Sequence, residues 1–257
     1  MNKLIVTESS KHLKKTVLGN VKQIDGSVLV VFENSFILRF GIDELFHVTS
    51  IYKNLSPFSL YVNNLLVNIP NNDVKVCWHC NQFFIGDMFI ELNAETQTFN
   101  ESKLKKIKSK LIKLPYHEKT SSIFSEKFYQ YRENLLDSHR NQDFDKCSQN
   151  LVKLIGLGDG LTPCGDDYLL GLIYGLKCEG NNTLLTLIQH ILYRYVSSLT
   201  NIISKKFFVY GLNGKFSKTI IEQDWDTLLQ YGHNSGYYTL LGISDSVYHF
   251  NKDLIVS

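Results

Sequence analysis

The sequence predicts an α+β protein in which an N-terminal small β barrel or sandwich is followed by a mainly helical domain. Three observations carry that prediction. Over most of the first hundred positions, short runs of Val, Ile, Phe and Tyr alternate with turn residues, the composition of strands and hairpins. Near residue 100 lysines crowd in and the apolar spacing changes to threes and fours. From residue 121 onward apolar residues recur at helical spacing with no strand-like alternation. The change of character divides the chain into a β-rich domain over residues 1–115 and a helical domain over residues 116–257.

Taken in order, "VKQIDGSVLVVFENSFILRF" holds three short apolar runs separated by Asp25-Gly26 and Glu33-Asn34. Asp-Gly supplies the positive φ angles of a two-residue hairpin turn, so a turn is expected there. "SPFSLYVNNLLVNI" and "DVKVCWHCNQFFIGDMFIEL" continue the pattern, for about six strands in all. In "ESKLKKIKSKLIKLPYHEK", Leu104, Ile107, Leu111 and Leu114 lie at helical spacing among lysines. This predicts a solvated linker helix ended by Pro115, its lysine stems covering apolar surface. Ile123, Phe124, Phe128, Tyr131, Leu135 and Leu136 form one helical stripe, and "NTLLTLIQHILYRYVSSLTNIISKKFFVYGL" reads as further helix.

Composition narrows the function. With 44% hydrophobic and 20% charged residues the chain is that of an ordinary globular protein. It has no run of eighteen apolar residues, and its start, "MNKLIVTESSKHLKK", lacks the long apolar core of a secretory signal. A cytoplasmic location is therefore expected. Five cysteines, an odd number, favour reduced thiols over a disulfide framework. A formal charge of +2, without basic patches interleaved with aromatics, argues against a nucleic-acid partner.

The chemistry concentrates in "LIGLGDGLTPCGDDYLLGLIYGLKC", residues 154–178. Thr162-Pro163 reads as a helix start, with Thr as cap and Pro in the first helical position. Asp166 and Asp167 then fall in the first turn, where negative charge is favoured by about 0.3–1 kcal/mol. Helix capping alone accounts for the acidic pair, but not for the glycines. Gly165, Gly171 and Gly175 lie inside the helix, each costing about 1 kcal/mol relative to alanine. Gly171 and Gly175 share a face and are expected to admit another helix backbone. Gly156, Gly158 and Gly160 precede the helix, and such a turn directs backbone N–H groups at one point, as phosphate and carboxylate sites do. The loop lacks the Lys-Ser/Thr of a P-loop. Two carboxylates beside an anion require either a bridging Mg²⁺ or an aspartate acting as general acid or base. Neighbouring helical residues diverge by about 100°, so one of the pair faces the site and the other caps or pairs within the core. No residue is assigned as a metal ligand, and Mg²⁺ is the one cofactor the pattern admits.

"CGDDYLLGL" from Cys164 aligns without a gap with "SGYYTLLGI" from Ser235. Two such loop-to-helix units could pack through their glycines and aim both N-termini at one cleft, which would bring His233, Asn234 and Ser235 opposite Asp166 and Asp167.

"GLGDGLTPCGDDYLLGL" resembles the signature of the bacterial AllH-type family, approximately G-x-G-x-G-L-T-P-S-G-D-D-x-L-x-G, named for a subunit of oxamate carbamoyltransferase in allantoin catabolism. "YGHNSGYYTLLG" resembles that family's Gly-His-Thr-Ser-Gly segment, and "SLTNIISKKFFVYGLNG" resembles the helix between the two. Three positions depart from the pattern: Cys164 where Ser is usual, Asn234 where Thr is usual, and Tyr238 where Asp is expected. The resemblance implies a subunit that works with two other proteins to move a carbamoyl group between carbamoyl phosphate and oxamate or a related small amide. It further implies that Asp166 or Asp167 handles the proton of the amide nitrogen. The amides of Gly158, Gly160 and Gly165 and the side chains of Thr162, His233 and Ser235 would hold anionic oxygens, with Cys164 and Asn234 completing the lining.

Other features carry less. "CWHC", Cys77–Cys80, has the spacing of a metal or redox pair but no second pair, and a buried strand with two thiols is expected there. A helix N-terminus would lower the Cys164 pKa while the neighbouring carboxylates oppose that. Two rival functions remain open at this point: a small-anion-binding or regulatory subunit in which no proton moves, and a scaffold whose glycines serve packing alone.

Overall fold

Residues 2–18, 23–63, 65, 72–108, 112, 114, 123–232 and 234–250 are described by a computed structural model of the chain. The strands are β1 (Asn2–Ser10), β2 (Ile24–Phe32), β3 (Ser35–Phe40), β4 (Glu44–Thr49), β5 (Ser59–Val62), β6 (Lys75–His79), β7 (Gln82–Ile85), β8 (Met88–Glu91) and β9 (Gln97–Phe99). The helices are α1 (Lys11–Leu18), α2 (Ile123–Arg140), α3 (Phe144–Leu154), α4 (Cys164–Glu179), α5 (Asn182–Leu199), α6 (Ile202–Leu212), α7 (Lys218–Glu222), α8 (Trp225–Leu228) and α9 (Ser235–Tyr248). They sort into two units, Met1–Lys103 with Lys215–Glu222, and Leu104–Gly214 with Gln223–Ser257. A β barrel followed by a helical region is the architecture the sequence predicted.

In the first unit the strands run in the order β5-β4-β3-β2-β6-β7-β8-β1, and a β1–β5 pairing closes them into an eight-stranded barrel with β9 beside β1. Closure depends on β1, which changes partner along its length. Asn2–Ile5 pair parallel with β8, Val6–Ser9 antiparallel with β5, and Glu8–Ser10 parallel with β9. A barrel of eight strands has an interior just wide enough for side chains to fill, and aromatics fill this one. Phe46 packs against Phe83 at 5.0 Å and Trp78 at 5.3 Å between ring centroids. Returning from the helices, the chain lays 215–222 on the barrel. Phe216 N donates to Glu101 O (2.9 Å), Lys218 N to Leu55 O (2.8 Å), and Lys218 Nζ to the buried Glu8 carboxylate (2.8 Å).

Several local expectations are corrected. Asp25-Gly26 is not a turn: β2 runs through it, pairing Gly26 with Val76 on one side and Phe40 on the other. The glycine is there for close approach, since a Cβ would lie 2.3 Å from Arg39 O and 2.6 Å from the Phe40 ring. The two-residue turn with positive φ at both positions forms instead at Cys80 (φ 50) and Asn81 (φ 63), joining His79 to Gln82. Val76 and Trp78 face inward, while Cys77 is half-buried and Cys80 exposed, so "CWHC" is not a buried pair of thiols. All five cysteines are free. Among the described residues nine strands replace about six, because β1, β4 and β9 lie outside the runs read as strands.

Among the described residues of the expected linker helix, 101–108, 112 and 114 are not helical; the rest of it lies outside the described residues. The side-chain amide of Gln223 holds this stretch, donating to Lys105 O (3.3 Å) and Lys106 O (3.2 Å) and accepting from Lys108 N (3.3 Å). Backbone groups bonded to a side chain amide in this way cannot make helical bonds.

In the second unit α4 is buried on nearly every side, as a central helix must be. Its principal neighbour is α9, with α3, α5 and α6 also touching it. Among the described residues no helix is long and apolar enough to cross a membrane.

Candidate functional site

The glycine loop begins where α3 ends. At Gly156 (φ +69) the chain turns against α5 so closely that a Cβ would sit 1.9 Å from Leu199 O. Gly158 (φ +120) comes next, where a side chain would be strained and would meet Cys164 N at 2.8 Å. Residues 159–161 are exposed, and Pro163 is the N-cap of α4. This corrects the expected cap. Thr162 does not cap the helix; its hydroxyl is 2.8 Å from that of Ser235, the first residue of α9. Pro163 contributes its carbonyl, which accepts Asp167 N at 3.0 Å.

The glycines of α4 and α9 explain how the two helices meet. A Cβ on Gly171 would lie 2.0 Å from Thr239 O, and one on Gly242 would lie 2.1 Å from Tyr168 O. Tyr168 and Thr239 are equivalent positions of the internal repeat, so each helix presses its glycine on the matching carbonyl of the other. The repeat extends upstream. Gly165 lies against Leu154 O and donates its N–H to Leu157 O (2.9 Å); Gly236 lies against Leu228 O and donates to Tyr231 O (3.2 Å). The contacts advance along both helices in the same direction, from Thr162–Ser235 to Gly175–Ser246. The two N-termini therefore stand side by side, and their partial positive charges add.

The two aspartates have separate environments. Asp166 is 3% exposed and fully engaged: Oδ1 accepts Gly156 N at 2.7 Å, and Oδ2 accepts the Thr200 hydroxyl. Burial raises its pKa, with the Thr200 and Gly156 donors acting against that. Asp167 is 7% exposed, and its Oδ2 is buried without a hydrogen-bonding partner. Burial holds its pKa well above the usual carboxylate range; the Ser235 and Thr162 hydroxyls oppose the shift and the Asp166 charge adds to it. Asp167 therefore keeps its proton to higher pH than an ordinary carboxyl does, set between the two helix ends. A Mg²⁺ bridging the pair would have to displace both donors of Asp166. Among the described residues no group of three or more His, Cys, Asp or Glu is placed to hold a metal ion.

Cys164 donates to Leu157 O (3.2 Å), and burial, with Asp167 second, pushes its thiol up to about 12. The lowering expected from the helix N-terminus does not prevail, and Cys164 is no nucleophile at neutral pH. Thr162, Cys164, Asp167 and Ser235 thus come together, with Asn234 as the N-cap of α9. The Gly165 amide is already bonded within the chain. Among the described residues Gly158 and Gly160 keep unpaired amides, as do Asp159, Leu161 and Thr162. His233 lies outside the described residues. Clefts of about 810 and 440 Å³ lie on the β2–β6 face and between α2 and α3, and the glycine loop lines neither.

Sequence reasoning missed a buried polar cluster beneath the site. Asp245, 2% exposed, receives Arg132 Nε (2.7 Å) and Nη2 (2.6 Å) and the Tyr168 hydroxyl (2.8 Å). A single acid within the apolar run "LLGISDSVY" was the signal for it. Tyr238, at the repeat position equivalent to Asp167, replaces a carboxyl by aromatic packing on Phe128 at 4.7 Å between ring centroids.

Residues 154–247 match the family model of oxamate carbamoyltransferase subunit AllH, the family whose signature the loop and its repeat resemble. That span runs from the last residue of α3 through most of α9. No curated protein and no solved structure matches the chain.

Proposed function

We propose, from the AllH match as premise, that the chain is a subunit of a carbamoyltransferase acting on oxamate or a related small amide with carbamoyl phosphate. In this reading the paired N-termini of α4 and α9 hold the small anionic substrate, and Asp167 handles the proton. As the carbon–nitrogen bond of an N-carbamoylated oxamate breaks under attack by a phosphate oxygen, the departing nitrogen takes the Asp167 proton and carbamoyl phosphate and oxamate result. In the other direction the Asp167 carboxylate removes the amide proton as nitrogen attacks the carbamoyl carbon and phosphate leaves. Unpaired amides of Gly158 and Gly160 and the hydroxyls of Thr162 and Ser235 are the donors suited to anionic oxygens. Asp166 shapes the loop instead.

The single observation behind this reading is the nine-tenths buried carboxyl of Asp167, whose Oδ2 has no hydrogen-bonding partner among the described residues. Packing explains Gly171, Gly175 and Gly242, so a scaffold would need those glycines and no such acid. The name of the family also implies protein partners, and activity is expected only with them. Asp167→Asn in the reconstituted complex should slow turnover about 10²–10⁴-fold; unchanged turnover rejects the catalytic role. Absence of heat when oxamate, carbamoyl phosphate or phosphate is titrated into that complex would favour the scaffold.

A further inference from the structure

The corner between α5 and α6 grips the glycine loop at both ends. At the start of the loop, the Thr200 hydroxyl donates to Asp166 Oδ2 while Asp166 Oδ1 accepts Gly156 N at 2.7 Å. Near its end, Asn201 Nδ2 donates to Leu161 O at 2.9 Å. The same Asn201 is the N-cap of α6, its Oδ1 accepting Ile203 N (2.9 Å) and Ser204 N (3.1 Å). Between these anchors the amides of Gly158, Asp159, Gly160, Leu161 and Thr162 have no acceptor among the described residues, and residues 159–161 are exposed. Besides these anchors only the Thr162 hydroxyl, 2.8 Å from that of Ser235, ties the stretch down, and donors that must be ordered on binding give up affinity to conformational entropy.

We infer that Thr200 and Asn201 are positioning residues, which through Asp166 Oδ2 and Leu161 O hold the unpaired amides of the loop in one arrangement. Neither need touch a ligand. That a ligand profits from this arrangement rests on the proposed function; that the corner orders the loop does not.

The test separates the two. Asn201→Ser keeps an N-cap, adds no charge and removes the donor to Leu161 O. Thr200→Val removes one hydroxyl from a side chain of the same shape, and Thr200→Ser restores it. In the full chain, thermolysin cleavage of the Gly160–Leu161 bond should accelerate several-fold in Asn201→Ser and Thr200→Val, with the denaturant midpoint little changed and Thr200→Ser cleaved like the parent. In the reconstituted complex, affinity for inorganic phosphate or oxamate should fall roughly tenfold in the first two variants, the equivalent of one modest hydrogen bond, and return in Thr200→Ser. Parental cleavage rates in both variants overturn the inference, and so does parental affinity in both where the parent binds. A parent complex that binds neither anion removes the proposed function and leaves the corner to be judged by cleavage alone.

Discussion

Replacing Gly171 by alanine puts one methyl group between two helices that have no room for it. The new carbon would lie 2.0 Å from Thr239 O, whereas ordinary contact starts at 3.4 Å. The helices must therefore part by about 1.4 Å, a gap that forfeits much of the dispersion attraction along their contact. Alanine returns about 1 kcal/mol of helix propensity, against overpacking and lost contact worth more. We expect a net loss of about 2–4 kcal/mol. Gly242→Ala, whose Cβ would lie 2.1 Å from Tyr168 O, should cost the same amount, because the repeat makes the two sites equivalent. The double variant should lose less than the sum, by at least about 1 kcal/mol, since helices already parted by one methyl accommodate the second. Denaturant unfolding followed by far-UV circular dichroism measures all three. A Gly171→Ala protein as stable as its parent, or more stable, would mean that α4 and α9 do not meet at these glycines.

Arg132→Met should destabilise the helical unit by about 3–5 kcal/mol by leaving Asp245 buried and unpaired, and adding Asp245→Asn should recover part of the loss in thermal unfolding. Lys218→Met should weaken the barrel by a similar order of about 3–5 kcal/mol, because Lys218 Nζ and Glu8 form a pair with side chains only 14% and 8% exposed; Glu8→Gln in the same chain should restore some of it. Iodoacetamide at mildly alkaline pH should label exposed Cys80 well before Cys164, whose thiol is pushed up to about 12, as mass spectrometry of peptides would show; equal rates would contradict the burial of Cys164.

What could be read from the sequence followed the range of the interaction. The helical stripes, the glycine face of Gly171 and Gly175 and the repeat between Cys164 and Ser235 are periodic or local features, and the α4–α9 contact followed from them. The hairpin expected at Asp25-Gly26 failed because a dipeptide suited to a turn is equally suited to close approach, and Phe40 across the strand decides which applies. The linker helix expected to end at Pro115 failed at its described residues because its partner, Gln223, is more than a hundred positions away. The division of labour between Asp166 and Asp167 had the same origin. Spacing showed that the two diverge, but the Gly156 amide and Thr200, the latter brought in by the α5–α6 corner, determine which of them is engaged. Asp245 and Arg132 are likewise far apart in sequence, and nothing local marks Arg132 as the partner.

The central claim is that burial between two helix ends makes Asp167 hold its proton beyond the ordinary carboxylate range. Because burial raises its pKa in the folded chain above the ordinary carboxyl value of 3.8, its favourable contribution to stability is full below that value and is lost as pH rises through the folded pKa. Carbon-13 NMR of the Asp167 carboxyl, assigned by comparison with Asp167→Asn and followed across pH, reads this proton directly. The resonance is expected to stay that of a protonated acid well above the ordinary aspartate range; a carboxyl that titrates within that range would contradict the claim.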